Sequence, residues 1–162
     1  MQKRLSRAEV PIEQTWNLDD LFLSQTSWAA ELESIEQAVG SVACYQGRLG
    51  DDAPTLVACL DAREALQARL MRAGTYAGLR NAADGTNPEN QAATSRVAAV
   101  DAKVNSGISF VDTEILRLPE GTIARFLAQE PGLAPHATNL HDLLELRPHM
   151  LGAETEKALA SL

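Results

Sequence analysis

The stretch NPENQAATSRVAAVDAKVNSGISFVDTEILRL, residues 87–118, decides the fold of this chain. Asn87 and Pro88 are a typical N-cap and first-turn pair, and Pro119 follows where a helix must end. Between them, apolar side chains recur at steps of three or four residues: Val97, Val100, Val104, Ile108, Val111, Ile115 and Leu118. This spacing predicts one continuous helix of roughly 45 Å with a single apolar stripe, which needs partner helices along its length.

Two earlier segments carry the same periodicity and can supply those partners. The first is predicted to begin with Thr26 or Ser27 as its N-cap, and the second begins near Asp52. After Pro119 the predicted helices are short, at 122–130, at 137–147 and from Gly152 onward. We therefore predict an all-α fold in which three long antiparallel helices are followed by a cluster of short helices.

The length of 162 residues suits one domain. Residues 1–15 are predicted to form an extended N-terminal arm, because Pro11 biases Val10 toward an extended backbone. Residues 16–162 are predicted to form the helical domain. Its last periodic segment has no C-cap signal near Leu162, which leads us to expect a domain cut short before further sequence.

Composition limits the partners and the compartment. A net charge of −8 disfavours a nucleic-acid partner, because phosphates require a basic surface. The apolar runs are much shorter than the ~20 residues that span a membrane, and no signal peptide is visible. Cys44 and Cys59 stand alone, as expected of reduced thiols in a cytoplasmic protein.

The sequence offers no recognisable catalytic, cofactor-binding or metal-binding motif. The three histidines, His136, His141 and His149, do not form the His-Glu-x-x-His pattern that places two zinc ligands on one helix face. No glutamate has a histidine three residues on, as carboxylate di-iron bundles require. We therefore predict no catalytic residue, no metal ligand and no cofactor in this chain.

Glu114 and a glycine pair each admit two interpretations. Glu114 lies beside the apolar stripe, where it can pair with Arg117 or another basic residue, remain solvated, or serve as a functional acid. Gly74 and Gly78 flank Tyr76 and predict a close crossing by a neighbouring helix, or else a groove that faces a ligand.

Several short motifs, taken together in order, resemble the N-terminal region of oligoendopeptidase F, in the thimet-oligopeptidase-like superfamily of zinc metallopeptidases. Trp16-x-Leu18-x-Asp20-Leu21-Phe22, Tyr45-x-Gly47-x-Leu49-Gly50 and Tyr76-Ala77-x-Leu79 carry its first half. Ser109-Phe110-x-x-x-Glu114-Ile115, Arg147-Pro148-His149-x-Leu151 and Glu156-x-x-Leu159-Ala160 carry its second half. Each motif alone is weak, whereas the ordered set spans nearly the whole chain.

The resemblance implies a non-catalytic helical domain that forms part of the wall or lid of a peptide channel. The implied complete enzyme hydrolyses internal bonds of short oligopeptides with zinc-activated water. Zinc is then expected in a catalytic domain beyond this chain, and that domain and short peptides are the expected partners. Tyr76, Arg80 and Asn81, near the glycine pair, are the candidate channel-facing residues.

Two further expectations follow. If a catalytic domain is missing, an exposed interdomain face could allow self-association. The alternative function is a stand-alone helical module that grips a partner helix in a groove.

Overall fold

Helices make up the regular structure of the chain in a computed structural model that describes residues 9–11 and 14–149. No strand occurs in these described residues. The α-helices are α1 (Gln25–Ala38), α2 (Gly40–Ala43), α3 (Ala53–Ala83), α4 (Pro88–Ile108), α5 (Phe110–Arg117), α6 (Thr122–Gln129) and α7 (Ala137–Glu145). Short 3-10 helices cover Leu18–Asp20, Pro131–His136 and Arg147–His149. The predicted all-α fold is confirmed.

The chain divides into two compact units. The first contains Met1–Cys44 and Asp61–Ile108, and the second contains Tyr45–Leu60 and Ser109–Leu162. The predicted division into an arm at 1–15 and a domain at 16–162 stays a prediction. Much of the arm and the helix predicted from Gly152 lie outside the described residues.

Three long helices build the first unit, and consecutive ones run in opposite directions. Along α1, Trp28 donates its indole N–H to the Ala73 carbonyl at 3.0 Å, and Glu31 pairs with Arg69 at 2.7 Å. Residue numbers therefore rise along α1 while they fall along α3. Helix α4 returns along α3 after a turn at 84–87. This is the antiparallel order that the sequence predicted.

A capping box begins α1 two residues before the predicted position. Ser24 is the N-cap, and its hydroxyl accepts a hydrogen bond from the Ser27 backbone N–H at 3.0 Å. In return, the Ser27 hydroxyl accepts one from the Ser24 backbone N–H at 3.2 Å. The prediction of Thr26 or Ser27 as the cap is wrong, because Ser27 fills the third helical position of the box rather than the cap itself.

The prediction of one continuous helix over 87–118 is also wrong. Helix α4 ends at Ile108 and α5 begins at Phe110, with Ser109 between them at φ −59° and ψ −24°. Because Ser109 keeps helical dihedral angles, the apolar period continues across the interruption and hides it from sequence reasoning. Just before it, Gly107 lies so close to Val39 that a Cβ atom there would be 2.3 Å from Val39 Cγ1.

Short helices α5 to α7 and the first residues of α3 build the second unit. Its core consists of fully or almost fully buried apolar side chains: Leu49, Leu56, Leu60, Val111, Ile115, Leu133 and Leu140. Gly50 permits a close approach, because a Cβ atom there would lie 2.7 Å from Leu118 Cδ2. The apolar stripe of the 87–118 stretch therefore contributes its second half to this core.

Candidate functional site

An aromatic cluster with two arginines occupies one face of α3. Arg72, Tyr76 and Arg80 follow one another at four-residue spacing, which places them on the same side of the helix. Tyr76 is only 6% exposed. Its ring lies 5.3 Å from the Phe22 ring in an edge-to-face arrangement and 6.0 Å from the Trp28 ring. The two rings fix Tyr76 from the α1 side.

Each arginine of the cluster stacks on one of its rings. The Arg72 guanidinium lies 4.6 Å from the centre of Phe22, and Arg72 Nη2 donates to the Leu21 carbonyl. The half-buried Arg80 guanidinium lies 5.7 Å from the centre of Tyr76, and its Nη1 donates to Gln25 Oε1 at 2.9 Å. The two acceptors, the Leu21 carbonyl and the Gln25 side-chain amide, carry no charge. The site therefore contains two guanidinium cations that stack on aromatic rings.

The structure brings together two of the three residues that the sequence singled out. Tyr76 and Arg80 are in contact, whereas Asn81 turns its Oδ1 into a buried position without a hydrogen-bond donor in the described part of the chain. Sequence reasoning missed Phe22 and Arg72. The four-residue spacing of Arg72, Tyr76 and Arg80 was the signal that could have identified Arg72.

Asn90 fixes the C-terminal end of α3 beside Arg80. This residue is 5% exposed, and its Nδ2 donates to the Arg80 carbonyl at 3.1 Å and to the Asp84 carbonyl at 2.9 Å. These carbonyls lie at the C-terminal end of the helix, where backbone carbonyls lack partners within the helix. Asn90 of α4 therefore stabilises the Arg80 backbone, whereas the Arg80 side chain hydrogen-bonds to Gln25 of α1.

A separate groove of about 640 Å³ lies between α3 and α4 in the first unit. Gly74 and Gly78 line it together with Met71, Val97 and Asp101. A Cβ atom on Gly74 would make an ordinary contact with Val97 Cγ1 at 3.5 Å, and one on Gly78 would meet nothing within 4 Å. The close crossing predicted for both glycines is therefore wrong at Gly78. Tyr76, Arg80 and Asn81 are not among the residues that line this groove.

An ion pair of the first unit joins α1 to α3 near the aromatic cluster. Arg69 Nε donates to Glu31 Oε1 at 2.7 Å, and Arg69 Nη2 donates to the Ser34 hydroxyl at 2.7 Å. The hydrogen bond from Arg69 holds the pKa of Glu31 below its usual value, and Arg72 adds a smaller electrostatic effect in the same direction. The carboxylate and the guanidinium are both part-buried, and their charge-assisted hydrogen bond links the two helices at this point.

Glu114 supports a loop of the second unit. Its Oε2 accepts from the Gly47 backbone N–H at 2.7 Å, and its Oε1 accepts from the Leu49 backbone N–H at 2.7 Å. Gly47 has φ +80°, a conformation that glycine adopts at little cost. Sequence reasoning considered only side-chain partners such as Arg117 and missed these two donors, since they are contributed by a loop far away in the chain.

The residues that the structure describes contain no group of three or more His, Cys, Asp or Glu side chains placed to hold a metal ion. His136 is buried in the second unit. His141 Nε2 lies 3.5 Å from Glu145 Oε1 on the exposed surface of α7. No helix within the described ranges combines the length and apolar character that crossing a membrane requires.

Comparison with solved structures identifies the class of protein that has this fold. The chain superposes on a crystal structure from Chlamydophila abortus, of a protein assigned as a peptidase, with a TM-score of 0.81 and 26% identity. That match covers 96% of this chain and 26% of the other. Oligoendopeptidase-F from Enterococcus faecium has the same fold, with a TM-score of 0.71 and 23% identity over 85% of this chain and 27% of its own.

Sequence comparison finds similar proteins of the same kind. A family model described as Oligopeptidase F matches residues 114–162. Oligopeptidase PepF of Bacillus subtilis is 28% identical over 154 residues, which cover 95% of this chain and 23% of that protein. Group B oligopeptidase PepB of Streptococcus agalactiae is 26% identical over 155 residues, which cover 96% and 26%.

These matches confirm the predicted resemblance: the chain is similar to oligoendopeptidase F proteins over a part that corresponds to their N-terminal domain. It spans about a quarter of the length of the curated relatives that it matches.

Proposed function

We propose that this chain works as the non-catalytic, helical N-terminal domain of an oligoendopeptidase F. In this role it forms part of the wall or lid of a channel that admits short peptides, and its partner is the catalytic domain of the same enzyme. The observation that carries the proposal is the relation to Oligopeptidase PepF, which extends over 95% of this chain but only 23% of that protein.

The catalytic step of the proposed enzyme takes place on other residues. Zinc held outside this chain would activate a water molecule that attacks an internal peptide bond of a short oligopeptide. The described residues do not fit a zinc ion, since they provide no cluster of ligating side chains. No step of hydrolysis is therefore assigned to them. Cys44 and Cys59 form no disulfide among the described residues, which supports a cytoplasmic location.

We place the peptide-facing surface of this domain at the arginine–aromatic face of α3. Arg80 is half-buried, and its side chain contacts a neutral amide and an aromatic ring, so its charge is available to a peptide carboxylate. Tyr76 is buried beneath Arg80 and acts by positioning the guanidinium rather than by touching the peptide. Asn81 stays a prediction as a channel-facing residue, because its amide oxygen is buried and has no hydrogen-bond donor among the described residues.

Replacing Arg80 tests this placement in the complete enzyme. With an internally quenched octapeptide that contains one glutamate, we expect Arg80→Gln to raise KM about tenfold, the equivalent of ~1.4 kcal/mol, with kcat unchanged. A charge-assisted hydrogen bond at a partly exposed site has this magnitude. A peptide in which glutamine replaces the glutamate should show a much smaller effect.

Arg125→Gln is the matched control, because Arg125 also stacks on a ring, with its guanidinium 5.3 Å from the Phe126 centre. This variant removes the same charge and the same kind of contact from the second unit. If Arg80→Gln and Arg125→Gln have equal KM values for the glutamate peptide, Arg80 does not contact the peptide in the channel and the proposal is wrong.

A stand-alone interaction module is the second candidate function. The groove between α3 and α4 favours it, because Met71 on its edge is 73% exposed and the glycine pair leaves room for a partner helix. A module of this kind would act without a catalytic domain. The length of the complete gene product and its activity toward peptides separate the two functions.

A further inference from the structure

A small, mainly apolar pocket of about 220 Å³ lies in the first unit, beside the C-terminal part of α3. Leu79 and Ala83 of α3 form one side of it, and residues that precede α1 form the other, among them Val10, Trp16 and Leu18. Trp16 is 72% exposed although it lines this pocket. An exposed tryptophan at the edge of an apolar pocket is typical of a binding site, because its ring offers a large contact area.

The pocket is adjacent to the Arg80 guanidinium on the surface of α3. Ala83 follows Arg80 by three residues and Leu79 follows Tyr76 by three, so the members of each pair are surface neighbours with Cβ atoms roughly 5–6 Å apart. Within the described residues, the guanidinium contacts the neutral Gln25 amide and the Tyr76 ring rather than a carboxylate. An apolar cavity and a cation available to an anionic ligand therefore lie side by side.

We propose that this pocket binds one apolar side chain of a peptide, next to the peptide carboxylate that Arg80 binds. The inference rests on the proposed function, which places the peptide at Arg80, and it adds a preference for the neighbouring side chain. The pocket is smaller than the roughly 300–1,000 Å³ of sites for drug-sized ligands, so it suits a single side chain such as leucine. Leu18 and Leu79 supply aliphatic surface against which that side chain is buried.

The carboxylate beside the apolar side chain has two sources in a peptide. One is the α-carboxylate of a C-terminal apolar residue, and the other is the side chain of a neighbouring glutamate. Both present two oxygens to a guanidinium and form the same charge-assisted hydrogen bonds. Apolar burial and charge pairing act together at adjacent points, so a ligand that lacks either group is expected to bind more weakly.

Acrylamide quenching of tryptophan fluorescence tests the proposal on the 162-residue chain, without a catalytic assay. The chain has two tryptophans, and Trp28 is only 2% exposed, so acrylamide quenches mainly Trp16. A peptide side chain in the pocket covers part of the Trp16 ring and protects it from the quencher. The probes are N-acetyl-Gly-Gly-Leu with a free carboxylate, the C-terminal amide of the same peptide, N-acetyl-Gly-Gly-Gly and N-acetyl-Glu-Leu amide.

We expect N-acetyl-Gly-Gly-Leu to protect Trp16 with a dissociation constant about tenfold lower than that of the glycine peptide, because the glycine peptide has no side chain to bury. Its amide should bind about tenfold more weakly than the free acid, because the charge at Arg80 is then unpaired by the ligand. N-acetyl-Glu-Leu amide distinguishes the two sources. It binds like the free acid if a glutamate side chain serves, and like the leucine amide if the α-carboxylate is required.

Two alanines in the last turn of α3 provide a matched pair of variants. Both are exposed, but only Ala83 lines the pocket, so Ala83→Leu fills it whereas Ala82→Leu does not. We expect Ala83→Leu to lose the preference for leucine over glycine and Ala82→Leu to keep it. Arg80→Gln should bind the free acid and the amide equally.

Equal protection of Trp16 by the leucine and glycine peptides in the unaltered chain would overturn the proposal. The same holds if Ala83→Leu keeps the leucine preference, or if Arg80→Gln still prefers the free acid over the amide. A complete gene product without activity toward peptides would instead refute the proposed function and leave these binding results unchanged.

Discussion

The Leu32→Ala substitution is expected to lower the free energy of unfolding by about 3 kcal/mol. Leu32 lies in the middle of α1 and has no exposed surface, between the buried side chains Trp28 and Ile35. Alanine removes three buried carbon atoms and leaves a cavity that neighbouring side chains fill only in part. The long helices on either side are anchored by pairs such as Glu31–Arg69, which limits how far the site can collapse.

Leu23→Ala is the control for that prediction, because Leu23 is 83% exposed and the same atoms are removed from the surface. Its cost should remain within about 0.5 kcal/mol. Urea denaturation followed by far-ultraviolet circular dichroism gives both values. Similar midpoints for the two variants would show that α1 does not pack in the first unit as described.

The Glu114→Ala substitution should also cost about 3 kcal/mol, by a different mechanism. It removes an ionised acceptor from the Gly47 and Leu49 backbone N–H groups, each 2.7 Å away, and such charged hydrogen bonds are worth about 1.5–3 kcal/mol each. Because the hydrogen bond from Gly47 is exposed and the one from Leu49 is part-buried, the summed cost stays near the lower end of that range. Glu114→Gln should cost about half as much, because its amide oxygen can replace only one carboxylate oxygen.

Hydrogen exchange locates the effect of the Glu114 change. Amide exchange at Gly47 and Leu49 should accelerate strongly in Glu114→Ala, beyond the increase at amides elsewhere in the second unit. Glu120→Ala, an exposed change of the same charge, serves as the control. Unchanged protection at both amides in Glu114→Ala would contradict the support of this loop by the carboxylate.

Periodicity predicted the helices well, because packing of apolar stripes dominates this fold. The spacing of Val100, Val104 and Ile108 led to the correct number of long helices and their order. It could not reveal the interruption at Ser109, because a residue with helical dihedral angles leaves the period intact. The close approach of Gly107 to Val39 depends on two helices and has no signature in a single segment.

The residues and contacts of the candidate site were harder to predict from the sequence than the helices were. Tyr76 and Arg80 were identified because they lie near the glycine pair in the sequence. In the structure, however, the two glycines line a groove to which neither Tyr76 nor Arg80 contributes. Phe22 joins Tyr76 from a distant segment, and only tertiary packing creates that contact. Glu114 shows the same limit, since its acceptor role depends on a loop that precedes it by more than sixty residues.

We propose that this chain is a non-catalytic domain of a longer zinc peptidase. The most direct test measures zinc content and hydrolysis of an internally quenched octapeptide, for the purified 162-residue chain and for the product of its complete reading frame. We expect neither stoichiometric zinc nor hydrolysis for the chain alone, and zinc-dependent hydrolysis for the complete product. Zinc-dependent cleavage by the 162-residue chain itself, or a complete product that is inert toward peptides, would contradict it.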